Sequence, residues 1–145
     1  MTSAEKAEQL GLAPKARIRG WNFVATDPFE EMLLGPAYAV QRLLAEHSLA
    51  VEDIDVWEIH EAFAGQILAN INALGSDAFG VGAIPMEQLN TLGGSLSLGH
   101  PFGATGARLT TTAANRLHDE DGRFAVLSAC ADSGLATAML LERFE

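Results

Sequence analysis

The chain has a single cysteine, Cys130, among 145 residues, so no intramolecular disulfide can form. That usage suits a reducing compartment. Positive charge is also scarce: nine Lys and Arg stand against 19 Asp and Glu, a net charge of −10. This balance argues against electrostatic binding of DNA, RNA or anionic lipid. An anionic ligand would need positive charge from a partner surface. No apolar run approaches the ~18 residues of a membrane-spanning helix. The opening Met-Thr-Ser-Ala-Glu-Lys is neither a secretory signal nor an Arg-rich transit pattern. The expectation is a cytoplasmic chain with no membrane span. The four histidines and the lone cysteine lack metal-ligand spacing, so no metal is expected. Residues 94–99 have the glycine spacing of a phosphate loop, but His100-Pro101 stands where Lys-Ser/Thr is required. No Gly-x-Ser-x-Gly elbow exists.

What remains is a globular composition, 48% hydrophobic and 19% charged. Its length fits one domain over residues 1–145. Glycine and proline punctuation predicts alternating elements. Helices are expected over residues 2–13, 35–47, 61–74 and 105–118, and strands over 18–26, 55–60, 123–131 and 134–142. Residues 75–92 read as a loop, and Asp132-Ser133-Gly134 as a tight turn joining the last two strands. The fold class is therefore α/β, a layered arrangement of a mixed sheet with helices on its faces.

Three places carry candidate chemistry. Residues 93–106, Gly-Gly-Ser-Leu-Ser-Leu-Gly-His-Pro-Phe-Gly-Ala-Thr-Gly, hold five of the 14 glycines and one histidine. Glycine permits unusual backbone angles and close ligand approach, and Pro101 restricts the backbone of His100. The run reads as a shaped loop that aims one imidazole. His100 is either a loop histidine bonded to the backbone or a donor to a developing oxyanion. Cys130 ends a buried strand, as an inert core thiol or as an acid or base where the sheet opens. His60-Glu61-Ala62-Phe63 lies at a strand-to-helix junction. There Glu61 either favours a helix start through the dipole or joins a site.

Together these residues resemble the C-terminal half of a thiolase. His60-Glu61-Ala62-Phe63, the run from Gly93 through His100-Pro101 to Gly106, and Cys130 before a glycine turn match that family in order and spacing. The resemblance is closest to the 3-ketoacyl-CoA thiolase branch of the trifunctional protein β subunit and the bacterial fatty-acid-oxidation complex. It implies a thiolase-like fold of two similar halves, of which the N-terminal one, with the nucleophilic cysteine, is absent. It implies coenzyme A thioesters as substrates, no covalently bound cofactor, and homo- or hetero-oligomers. His100 would match the residue that activates the nucleophile and lines an oxyanion hole. His60 would match the residue that orients a catalytic water, and Cys130 the acid/base thiol. Gly99, Asp132, Gly134, Glu61 and Phe63 would shape the oxyanion and substrate loops. Asp132-Ser133 departs from the small residues and glycines of the family pattern. A carboxylate about 5 Å from an oxyanion costs roughly 3 kcal/mol at an effective dielectric of 20. That departure leaves a non-catalytic dimerisation or scaffold domain as the alternative.

Overall fold

The computed structural model describes residues 1–144. Four strands, β1 (Ala16–Ala25), β2 (Val56–Ile59), β3 (Phe124–Ala131) and β4 (Leu135–Arg143), form one sheet in the order β1-β4-β3-β2. β4 runs antiparallel to β1 and β3, and β2 runs parallel to β3, so the sheet is mixed as expected. Helices α1 (Ala4–Gln9), α2 (Gly35–His47), α3 (Ala64–Leu74) and α5 (Thr105–Asp119) are separated by loops, and α4 (Ser95–Leu98) is a single turn.

Strand alternation sorts the core onto two faces. Trp57, Ile59, Val126, Ala138 and Leu140 pack against α2 and α3 on one side. Val56, Ala125, Leu127 and Leu141 pack against Leu109, Ala113 and Leu117 of α5 on the other. The close fit of α2 requires Gly35, because a Cβ there would come within 2.6 Å of the Ala136 Cβ. Pro36 occupies the first turn of α2, where its missing N–H costs nothing.

Three expectations are refined. The strand expected over residues 18–26 forms as β1, with an irregularity at Arg19. Ile18 pairs with Leu141 and Gly20 with Leu140, so Arg19 is an extra, bulged residue. A bulge switches the face that following side chains occupy. Ile18 thus joins the α5 side, whereas Gly20 packs on His47 of α2. After the bulge, Trp21 and Phe23 stand out from the sheet beyond the reach of α5 and remain 62% and 71% exposed. The helix expected from Glu61 starts instead at Ala64, after the extended Phe63. The Ala62 N–H is capped by Gln66 Oε1, which frees Glu61 for another task. The first helix is six residues, ending before Gly11 at φ +61 rather than reaching residue 13.

Candidate active site

β2 and β3 are parallel neighbours, so their carboxyl ends open on the same sheet edge, where α/β folds gather chemistry. His60 follows β2 directly, and its N–H donates to Ser128 O of β3. Its ring is 3% exposed. Nδ1 lies 2.8 Å from Ser95 Oγ in α4. Burial, then the neighbouring His100 and Arg108, push the imidazole below its ordinary pKa, with Glu61 working the other way.

Glu61 crosses to the glycine loop. Its carboxylate accepts from Asn90 Nδ2 at 2.7 Å and from the Leu96 N–H at 3.0 Å, so it caps α4 rather than starting α3. Gly94 makes this possible, since a Cβ there would overlap the carboxylate. Asn90, at φ +48, also bonds both the N–H and the C=O of Ile59 through its side-chain amide. It therefore covers the free edge of β2.

The glycine loop delivers the second imidazole. Gly99, at φ +99, makes a turn that few other residues adopt and leads into His100. His100 Nδ1 lies 2.8 Å from Thr105 Oγ1, the first residue of α5. Its ring stacks on His60 with centroids 4.2 Å apart and planes 37° apart. Both imidazoles thus use Nδ1 on a hydroxyl, and neither Nε2 has a protein partner among the described residues. The base of α5 is fixed by Arg116, 1% exposed, which pairs at 2.9 Å with Glu58, wholly buried on β2. Arg116 also binds Glu120, Trp57 O and Gln88 O.

Cys130, the next-to-last residue of β3, lies opposite Ala136 and is half-buried. Burial pushes its thiol up, so it is a thiol and not a thiolate near neutrality. No hydrogen bond joins it to either imidazole among the described residues. The turn after it has Ser133 at φ +63 and Gly134 at φ +77. Gly134 approaches Thr26 O so closely that a Cβ would sit 2.6 Å away. Asp132 is exposed, as is Phe63 at the start of α3. A concavity of about 530 Å³ lies elsewhere, between α1, the start of β1 and Phe144, and contains none of these residues. Of the two imidazoles, His60 belongs to a buried residue and His100 to an exposed one.

Ser95, Thr105, Asn90 and Arg108 hold the expected residues in place but carry no signal of their own.

A family model described as "Thiolase, C-terminal domain" matches residues 12–143. The chain belongs to the thiolase family. It is 50% identical over 143 residues to a probable 3-ketoacyl-CoA thiolase of Caenorhabditis elegans, covering 92% of this chain and 32% of that protein. It is 49% identical over 149 residues to the mitochondrial trifunctional enzyme subunit beta of Bos taurus, covering 97% and 31%. Among solved structures, an acetyl-CoA acetyltransferase from Syntrophomonas wolfei superposes with a TM-score of 0.89 at 34% identity, over 99% of this chain and 35% of that one. The fold is therefore that of one thiolase half, and the chain spans about a third of the length of the curated relatives it matches.

Proposed function

We propose that this chain is the C-terminal half of a 3-ketoacyl-CoA thiolase, acting with an N-terminal half that supplies the nucleophilic cysteine. The observation that carries the reading is the stacked imidazole pair, with both Nδ1 atoms tied to hydroxyls and both Nε2 atoms free. In thiolysis the nucleophilic thiolate attacks the ketone carbon, and the electron pair of the breaking carbon–carbon bond leaves on acetyl-CoA as an enolate. His100 activates the nucleophile and donates to the oxyanion. His60 orients the water that completes that hole. Cys130 gives its proton to the enolate, a task suited to a thiol whose burial keeps it protonated. Free CoA thiol then takes the acyl group from the nucleophile. The reverse sequence condenses two thioesters. No metal or bound cofactor has a part in these steps.

The exposed apolar side chains fit a missing partner surface. Trp21 and Phe23 project from the α5 side of the sheet. An acidic chain also needs a partner to supply positive charge for the CoA phosphates. A lone free thiol suits a reducing compartment such as the cytoplasm.

Co-expression with the N-terminal half of a related thiolase tests the proposal. The assembled complex is expected to cleave a 3-ketoacyl-CoA. Cys130→Ala and His100→Ala should each lower the rate by about 10²–10⁴-fold. The isolated chain should gain no acyl mass from acyl-CoA. An assembled complex that is inactive, or one indifferent to Cys130→Ala, would establish the scaffold reading, which the Asp132-Ser133 turn favours.

A further inference from the structure

Arg108 is the one charged residue beside the imidazole pair whose presence the fold alone does not explain. Its guanidinium reaches inward from α5, and Nη2 donates to Ser95 Oγ at 3.0 Å. Its Nε and Nη1 are enclosed with no partner among the described residues. Arg108 is half-buried as a residue, but guanidinium nitrogens enclosed without partners are destabilising, because desolvation is offset only where hydrogen bonds replace water. Arg116, eight residues further along the same helix, shows the contrast: its guanidinium is fully engaged by Glu58, Glu120 and two carbonyls. What Arg108 does hold is Ser95, and Ser95 is the only protein partner of the His60 ring among the described residues.

The direction of these bonds has a chemical consequence. An arginine can only donate, so one lone pair of Ser95 Oγ is occupied. The hydroxyl is thereby polarised, and its proton is best directed at the 2.8 Å neighbour, His60 Nδ1. A chain in which each member donates onward is self-reinforcing, whereas a serine accepting from both sides is not. We propose that Arg108, acting through Ser95, is a positioning residue for His60, fixing the ring orientation and placing its single proton on Nε2. The inference rests on the assignment of His60 to the thiolase site. It adds that the free nitrogen of His60 is a donor, suited to holding a water by its oxygen. The charged and titratable groups acting on His60 are Arg108 from α5, His100 from the loop before it, and Glu61 next along the chain, and Cys130 lies two residues beyond its β3 contact.

Long-range proton–nitrogen correlation NMR on the ¹⁵N-labelled chain reads the tautomer of His60 directly, with His60→Gln to assign the signal. The wild-type chain is expected to show the Nε2–H form. Arg108→Gln should raise the proton affinity of His60 about tenfold or more. Ser95→Ala should leave the charge in place yet yield a mixture of tautomers, and Arg108→Lys should restore much of the wild-type proton affinity. Should Arg108→Gln fail to fold, Ser95→Ala and Arg108→Lys carry the same test. A wild-type Nδ1–H tautomer, or a His60 signal indifferent to all three variants, would overturn the proposal. The measurement needs no catalysis: an inactive reconstituted enzyme with His60 in the expected form would refute the thiolase assignment and leave the Arg108 relay standing.

Discussion

Replacing Gly94 by alanine probes how tightly the two halves of the site are joined. The backbone at Gly94 (φ −105°, ψ −164°) accepts any residue, so the substitution introduces no torsional strain. Apart from a small N-cap cost, its effect is collision of the new Cβ with the Glu61 carboxylate. A free glutamate would swing aside at little cost. This one is tied to Asn90 Nδ2 and the Leu96 N–H, and displacing it breaks both bonds. Hydrogen bonds to a charged group contribute about 1.5–3 kcal/mol each. The Leu96 amide lies near solvent and recovers part of its share from water, so the expected loss is about 2–4 kcal/mol. At this chain length that lowers the melting temperature by roughly 5–15 °C. The decisive experiment is a double-mutant cycle read by urea unfolding. On a Glu61→Ala background the obstruction is gone, and Gly94→Ala should cost under about 1 kcal/mol, the usual difference between glycine and alanine at a helix N-cap. Equal costs in both backgrounds would refute the reasoning, because they would show that Glu61 is not what Gly94 accommodates.

Cutting the buried ion pair on one side, as in Arg116→Met, should cost about 3–5 kcal/mol by leaving Glu58 uncompensated, while Glu58→Leu with Arg116→Met together should be nearly neutral in thermal unfolding. His60 has a lowered folded pKa, so its contribution to stability is present above its ordinary value near pH 6.5 and is lost as pH falls through the folded value; His60→Gln should flatten the acid limb of stability against pH. Cys130 is shifted the other way. Its contribution is present below the ordinary thiol pKa and lost as pH rises through the higher folded one, and alkylation by iodoacetamide should accelerate only at a pH above that of a free thiol. Phe23→Lys should leave stability within about 0.5 kcal/mol yet weaken assembly with the N-terminal half, measured by titration calorimetry.

The element pattern was largely readable because glycine and proline mark its boundaries: Gly35-Pro36 opens α2 and the Asp132-Ser133-Gly134 turn joins β3 to β4. The misreadings fall where a tertiary partner overrides local preference. Glu61 looks like a first-turn carboxylate, but the acceptor demand of Leu96, 35 residues away, takes it out of the helix. Arg19 bulges because Ile18 and Gly20 are claimed by opposite faces, a fact that depends on α2 and α5 rather than on the strand. His60 and His100 were visible as a pair of loop-borne imidazoles. Their anchors Ser95 and Thr105 were not, since hydroxyls in a glycine-rich loop or at a helix start are ordinary turn chemistry. Asp132, which departs from the small residues of the family pattern in this turn, is exposed.

The strand order has a consequence for how this chain reaches its fold. The two central strands are the last ones in the chain, and the first two strands are its outer pair. On a ribosome, β1 and β2 are therefore made well before either has a neighbour, and they must wait for the C-terminal hairpin to insert between them. Pairing of this kind is non-local and slow, and until it is complete Trp21, Phe23 and the backbone of β1 present an open, sticky ribbon. The nascent chain is thus most vulnerable to aggregation in the interval before the β3–β4 hairpin emerges, and a chaperone that shields β1 over that interval would matter more to yield than any single contact in the finished site.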